Sequence, residues 1–129
     1  MEVTFDGGKV ITAHINGHTI STDQPQSAGG QNSAPTPFEL FLASLGTCAG
    51  IYVKSFCDQR ELPSEGIKII QEAEYDMQTG LPVSITFDIK VPESFPEKYV
   101  PSLIRAAELC KVKKTVAAHP EMTVIASKL

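Results

Sequence analysis

The apolar positions change period along the chain, and each change marks an element. Val3 and Phe5 alternate with polar neighbours, Gly7-Gly8 interrupts, and Val10, Ile11, Ala13 and Ile15 continue in extended style. Asn16-Gly17 predicts a hairpin turn, because both residues accept the positive φ of a two-residue loop, and Thr19 to Thr22 form the returning strand. Residues 24–35, rich in Gln, Ser, Gly and Pro, read as a loop. The period then becomes helical. Thr36 can cap, Pro37 suits a first turn, and Glu39 completes a Thr-x-x-Glu capping box. The helix is expected to run to about Arg60 or Glu61, ahead of Pro63. Its apolar residues, from Phe38 to Phe56, cover most of the circumference, which predicts burial in this chain or in a partner subunit. Gly46 and Gly50 weaken the helix and predict another backbone close by.

Strand character returns over residues 67–91. Ile67 to Tyr75 form one strand, Thr79-Gly80-Leu81-Pro82 a turn, and Val83, Ile85, Phe87, Ile89 and Val91 alternate with Ser84, Thr86, Asp88 and Lys90. A second helix is expected near Ser94, with Glu97 as the far end of another capping box. Its stripe of Val100, Leu103, Ile104, Ala107 and Leu109 ends near Cys110. Lys111 to Ala118 predict a short helix ended by His119-Pro120, and Met122, Val124 and Ile125 a last strand. This order predicts an α+β domain, antiparallel sheet packed on a long buried helix. With 129 residues the chain suits one domain, 1–129.

Charge narrows the partners. The net charge is −4, the pI about 5.3, and no dense Lys/Arg run is present, so nucleic acid is not expected as a partner. No apolar stretch reaches the roughly 18 residues of a membrane span, and Met1-Glu2-Val3-Thr4 lacks a signal-peptide layout. A cytoplasmic protein without a membrane partner is the expectation. The three cysteines are too sparse for a disulfide framework. No metal-ligand spacing links them to His14, His18 or His119, and no glycine pair has the setting of a phosphate loop, so neither metal nor cofactor is expected.

The cysteines carry the candidate chemistry. Cys48 lies in the apolar part of the long helix, where a small buried hydrophobe and a reactive thiol are both open readings. It is too far along that helix to feel its own N-terminal dipole strongly. Cys57 follows after nine residues, on the opposite face and about 13 Å away along the axis. It cannot bridge to Cys48 while the helix holds. Cys110, on an independent element, is the candidate partner. Glu39 has a cap to serve, and a lone carboxylate beside a thiol would raise its pKa.

The run Thr36-Pro37-Phe38-Glu39-Leu40-Phe41-Leu42-Ala43-Ser44-Leu45-Gly46-Thr47-Cys48 resembles the osmotically inducible protein C and organic hydroperoxide resistance (OsmC/Ohr) family. Ala106-Ala107-Glu108-Leu109-Cys110-Lys111-Val112, with its cysteine 62 residues after Cys48, resembles that family's second signature. The resemblance implies an OsmC-like fold in an intertwined homodimer, with long helices at the centre and sites at the subunit interface. It implies thiol-dependent reduction of organic hydroperoxides: Cys48 peroxidatic, Cys110 resolving, and an external dithiol as reductant. Glu39 matches the family's glutamate, which helps hold an arginine beside the thiolate.

Two positions depart from the family pattern. Residues 1–53 contain no arginine, and their one lysine is Lys9; a lysine, Lys111, follows Cys110 where the family usually has proline. Lys9 and Lys111 are the cations left to face Cys48, and neither has the planar fork of arginine. The alternative reading is therefore a binding or redox-sensing protein of the same fold, with weak or no peroxidase activity.

Overall fold

The computed structural model describes residues 1–128. The chain forms two compact units, residues 1–44 and 45–129, and the division falls inside the long helix.

The first unit contains a three-stranded antiparallel meander of β1 (Glu2–Phe5), β2 (Ile11–Ile15) and β3 (His18–Thr22). Asn16 and Gly17 both adopt positive φ, 50° and 79°, and set the β2–β3 register with Ile15 opposite His18. The loop after β3 is wound around one buried carboxylate. Asp23 is 1% exposed and accepts the N–H groups of Gln24 (2.7 Å), Gln31 (3.0 Å) and Ser33 (3.0 Å), and the Ser33 hydroxyl (2.7 Å). These donors, the Ser33 backbone foremost, lower its pKa to about 2 from 3.8, so the carboxylate stays charged where most carboxyls protonate. The knot admits no side chain at Gly30, where a Cβ would sit 1.9 Å from the Gln24 carbonyl oxygen.

Helix α1 (Pro37–Asp58) starts at the predicted capping box. The Thr36 N–H donates to Glu39 Oε2 at 2.7 Å, and the Glu39 N–H donates to Thr36 Oγ1 at 3.2 Å. Its buried residues, Leu45, Ala49, Val53, Phe56 and Cys57, make a single stripe. Other apolar residues are not covered within the chain: Phe38 is 40% exposed and Ile51 57%. The expectation that no segment reaches membrane-span length is corrected here. The 22-residue helix contains an 18-residue window of mean hydropathy 1.4, of which 28% is buried. Glu39, Lys54 and scattered Ser and Thr break the strictly apolar run, but they do not lower the average enough. By length and composition alone α1 is long and apolar enough to cross a membrane, a test that the core helix of a water-soluble protein also passes.

In the second unit the hairpin of β4 (Lys68–Tyr75) and β5 (Pro82–Lys90) pairs Ile69 with Ile89 and Gln71 with Phe87. Its turn is held by Asp76, whose Oδ1 accepts the N–H groups of Gln78 and Thr79. The core joins Ala49, Val53, Phe56 and Cys57 of α1 to Phe95, Leu103 and Ala107. Tyr99 meets the Phe56 ring edge-on at 6.2 Å.

Three expectations are corrected in this unit. The second helix, α2 (Val100–Glu108), begins later than Ser94, after a 3-10 turn over Glu97–Tyr99 whose cap is Pro96 without a side-chain bond. Pro101 sits in the first turn, where its missing N–H costs nothing. The short helix α3 (Lys111–Ala117) forms as expected, but Met122, Val124 and Ile125 form no strand and are 85%, 96% and 86% exposed. A strand needs a neighbour to receive its ladder bonds, and among the described residues none pairs with this segment. Finally, within the chain neither helix glycine has another backbone against it: a Cβ at Gly46 would meet the side-chain tip of Gln71 at 2.7 Å, and one at Gly50 would meet nothing within 4 Å. The mixture of helices with antiparallel sheets otherwise agrees with the α+β expectation.

Candidate thiol site

The structure brings Cys48 and Cys110 together. Cys48 lies on α1, half-buried; Cys110, 0% exposed, is the residue that caps α3. Both are free thiols, close enough for each to shift the ionisation of the other. Their two elements come from segments 62 residues apart, so the pairing is made by the tertiary fold.

The two sulfurs are driven in opposite directions. Cys48 is lowered from 9.0, first by the Val112 N–H, then by the Cys110 thiol, with smaller contributions from the N–H and the positive charge of Lys111; partial burial opposes them. Each of these groups favours the thiolate, because each places a partial or full positive charge on the sulfur. Cys110 is raised above 9.0, chiefly by burial, although it accepts the Lys113 N–H at 3.5 Å. A neutral Cys110 keeps its S–H, which has two acceptors within reach: the Leu45 carbonyl at 3.9 Å and the Cys48 sulfur. When Cys48 ionises, the charged sulfur becomes the stronger acceptor, so the two protonation states reinforce each other. The result is an asymmetric pair, an anion-prone sulfur on a half-buried residue beside a protonated one that is enclosed.

No guanidinium takes part in this arrangement. What Cys48 receives instead is the start of α3, two N–H groups that lack partners within the helix, and the side chain of Lys111. The local sequence carried a weak signal of this: a cysteine at the cap of a short helix rich in lysine. The N–H groups that lower Cys48 belong to the start of α3 and not to its own helix. Of the lysines considered, Lys111 lies near enough to add its charge to Cys48.

Glu39 is held by its cap. Its pKa is lowered by the Thr36 N–H and hydroxyl, which accounts for both its conformation and its charge. Cys57 is 0% exposed within the core, and burial, with the charge of Asp58 added, pushes its pKa up. It has none of the N–H donors that Cys48 has. Among the described residues no three His, Cys, Asp or Glu side chains gather in a way that could hold a metal ion.

An α/β scaffold that presents a half-buried thiol to the first N–H groups of a helix capped by a second thiol defines a class of paired-thiol proteins. The family model for OsmC-like proteins matches residues 30–125. The chain belongs to that family, as the two cysteine segments suggested. Its fold is shared with solved structures. One is a protein of Psychrobacter arcticus 273-4 named for osmotic stress induction and the detoxification response (20% identity, 88% of this chain and 85% of that chain, TM-score 0.74). Another is from Legionella pneumophila, named an organic hydroperoxide resistance protein OsmC, predicted redox protein and regulator of sulfide bond formation (13% identity, 89% and 85%, TM-score 0.56). None of the curated proteins matches the chain.

Proposed function

We propose that the chain reduces organic hydroperoxides with Cys48 and Cys110 as a peroxidatic and resolving pair. The observation that carries this reading is the opposed tuning of two contacting thiols, Cys48 toward thiolate and Cys110 toward neutral thiol. Membership of the OsmC-like family and the name of the Legionella neighbour support a redox role of this kind.

The Cys48 thiolate attacks one peroxide oxygen; the O–O bond breaks, sulfur is oxidised to a sulfenic acid, and the alcohol leaves after taking a proton. The Cys110 sulfur then attacks the sulfenic sulfur, an S–S bond forms, and the hydroxyl leaves as water with the Cys110 proton. An external dithiol reduces the disulfide and is itself oxidised. Burial keeps Cys110 protonated until the sulfenic acid forms, which holds it away from direct oxidation. Glu39 acts in this reading by fixing the start of α1. A reducing cytoplasm would supply the dithiol.

The assembly proposed with this reading is a homodimer. The part-covered α1 and the exposed Met122, Val124 and Ile125 support it, since a second copy can cover both. One stoichiometric exposure to cumene hydroperoxide should consume a single thiol pair and yield an intramolecular Cys48–Cys110 disulfide by peptide mass mapping. Cys48→Ser should abolish peroxide consumption. Wild-type consumption by Cys48→Ser, or a disulfide that maps to Cys57, overturns the proposal.

A further inference from the structure

The chain has two arginines, Arg60 and Arg105, and both line one pocket. The pocket has a volume of about 580 Å3 and lies between the C-terminal end of α1 and one face of α2. Arg105 and Leu109 fall on that face one turn apart, and Tyr52 and Phe56 supply a matching apolar wall from α1. No carboxylate lines it, although the chain carries 15 Asp and Glu residues.

Each guanidinium is held in place without an acidic partner. Arg60 stacks over the Phe56 ring at 3.9 Å and donates through Nη1 to the Phe56 carbonyl at 3.3 Å. Arg105 donates through Nη2 to the Ser102 hydroxyl at 2.7 Å. Among the described residues the salt bridges join Lys54 to Asp58 and Lys90 to Asp88, so neither arginine is neutralised. The groups that do hold them, Phe56 and Ser102, are neutral. The charge of both remains available, in a protein whose net charge is −4.

We infer that this pocket binds an amphipathic organic anion, a carboxylate or phosphate head on an aromatic or aliphatic body. The head pairs with Arg60 and Arg105, whose forked donors match two oxygens. The body lies against Tyr52 and Leu109. The size falls within the range of small-molecule sites. Arginine on an aromatic face loses little hydration when it pairs, which favours such a complex over one with surface lysines. The site stands independently of the thiol chemistry proposed above.

The test is calorimetric titration of the full-length protein with 4-phenylbutyrate, against neutral 4-phenylbutanol and against inorganic phosphate. The expected result is saturable binding of one phenylbutyrate per chain, weakened by added salt. Arg60→Gln and Arg105→Gln should each reduce affinity about tenfold, with Arg60→Lys and Arg105→Lys intermediate. Cys48→Ser should bind like wild type, so failure of the peroxidase reading and failure of this one are separable. Thermal unfolding of each variant shows that it is folded. The inference is overturned if both glutamine variants, folded, bind as wild type does. It is equally overturned if phenylbutanol binds as tightly as phenylbutyrate, if phosphate alone does so, or if no binding saturates.

Discussion

Two acidic side chains in this protein, Asp23 and Cys48, are held by backbone N–H groups, and the same physics gives them different work. Asp23 collects three N–H groups and a hydroxyl, is almost completely enclosed, and falls to about 2. A group so placed is charged at any physiological pH, so its donors hold a loop and nothing switches. Cys48 collects the N–H groups of Val112 and Lys111 and one S–H, and remains part-exposed. Its ordinary pKa is 9.0, so a downward shift enlarges the thiolate fraction at neutral pH. N–H donors around an acid that is already strong make structure; around a weak acid they enlarge its charged fraction.

The largest expected effect comes from breaking the structural member. Asp23→Ala leaves the N–H groups of Gln24, Gln31 and Ser33 facing a void, and should lower Tm by about 10 °C by differential scanning calorimetry. Asp23→Asn, which keeps one acceptor oxygen, should lose less. The pH dependence follows from the sign of the shift. The folded pKa lies below the unfolded one, so this contribution is complete above about 3.8 and is lost as pH falls toward 2. An Asp23→Ala protein with wild-type Tm at neutral pH would remove the structural half of the comparison.

Cys57 is the control for the other half, a thiol in the same helix with burial and no N–H donors. Its raised pKa means that its ionisation opposes folding, so any contribution to pH dependence is a loss of stability as pH rises above 9.0. Native alkylation should spare Cys57 at neutral pH while Cys48 reacts. Cys57→Ser places a hydroxyl in the core beside Phe56 and Leu103 and should cost about 2 kcal/mol in urea denaturation.

The thiol pair itself is sharpened by removing its donors one at a time. The rate of iodoacetamide alkylation at pH 7 reads the thiolate fraction of Cys48. Cys110→Ala, which deletes the S–H donor, should slow it about tenfold, and Lys111→Gln, which leaves both N–H groups in place, about threefold. Cys110→Ser retains a donor and should stay near the wild-type rate, while forming no disulfide. If Lys111→Gln slows alkylation more than Cys110→Ala does, then the lysine charge, and not the hydrogen bonds, governs the thiol. The linkage sign is opposite to that of Cys57: because Cys48 is lowered, its contribution to stability is gained as pH rises through its depressed pKa and is complete above 9.0.

Local chemistry was legible in the sequence wherever it is written in consecutive residues. Asn16-Gly17, the Thr36–Glu39 box and the alternation from Ile85 to Ile89 each encode their own geometry, and the structure follows them. The Cys48–Cys110 pairing was legible only through family resemblance, because no periodicity reports a contact across 62 residues. The Asp23 knot was not legible. Its donors are backbone groups of Gln24, Gln31 and Ser33, which any residue other than proline would provide, and the composition of that loop read only as irregular chain. The same holds for the Val112 N–H on Cys48. Met122, Val124 and Ile125 show the converse: strand propensity was plain, and among the described residues no strand edge pairs with it.

The smallest expected effect probes the glycines of α1, at which the sequence predicted a close neighbour. Within the chain the two differ. Gly46 faces the Gln71 side chain, so a methyl group there must displace it, whereas Gly50 borders a pocket of about 220 Å3 lined by Val53, Ile67 and Ile69. A methyl at position 50 meets no atom within 4 Å and removes the entropic cost of a mid-helix glycine. Gly50→Ala should therefore stabilise the protein by about 0.5–1 kcal/mol in urea denaturation, with Gly46→Ala neutral or destabilising. A second copy seated on that part of α1 would reverse the sign, because the methyl group would then hold two backbones apart. The same substitution measured against protein concentration decides between these: a gain that is independent of concentration leaves Gly50 outside the proposed dimer contact, and a loss that deepens on dilution places it within.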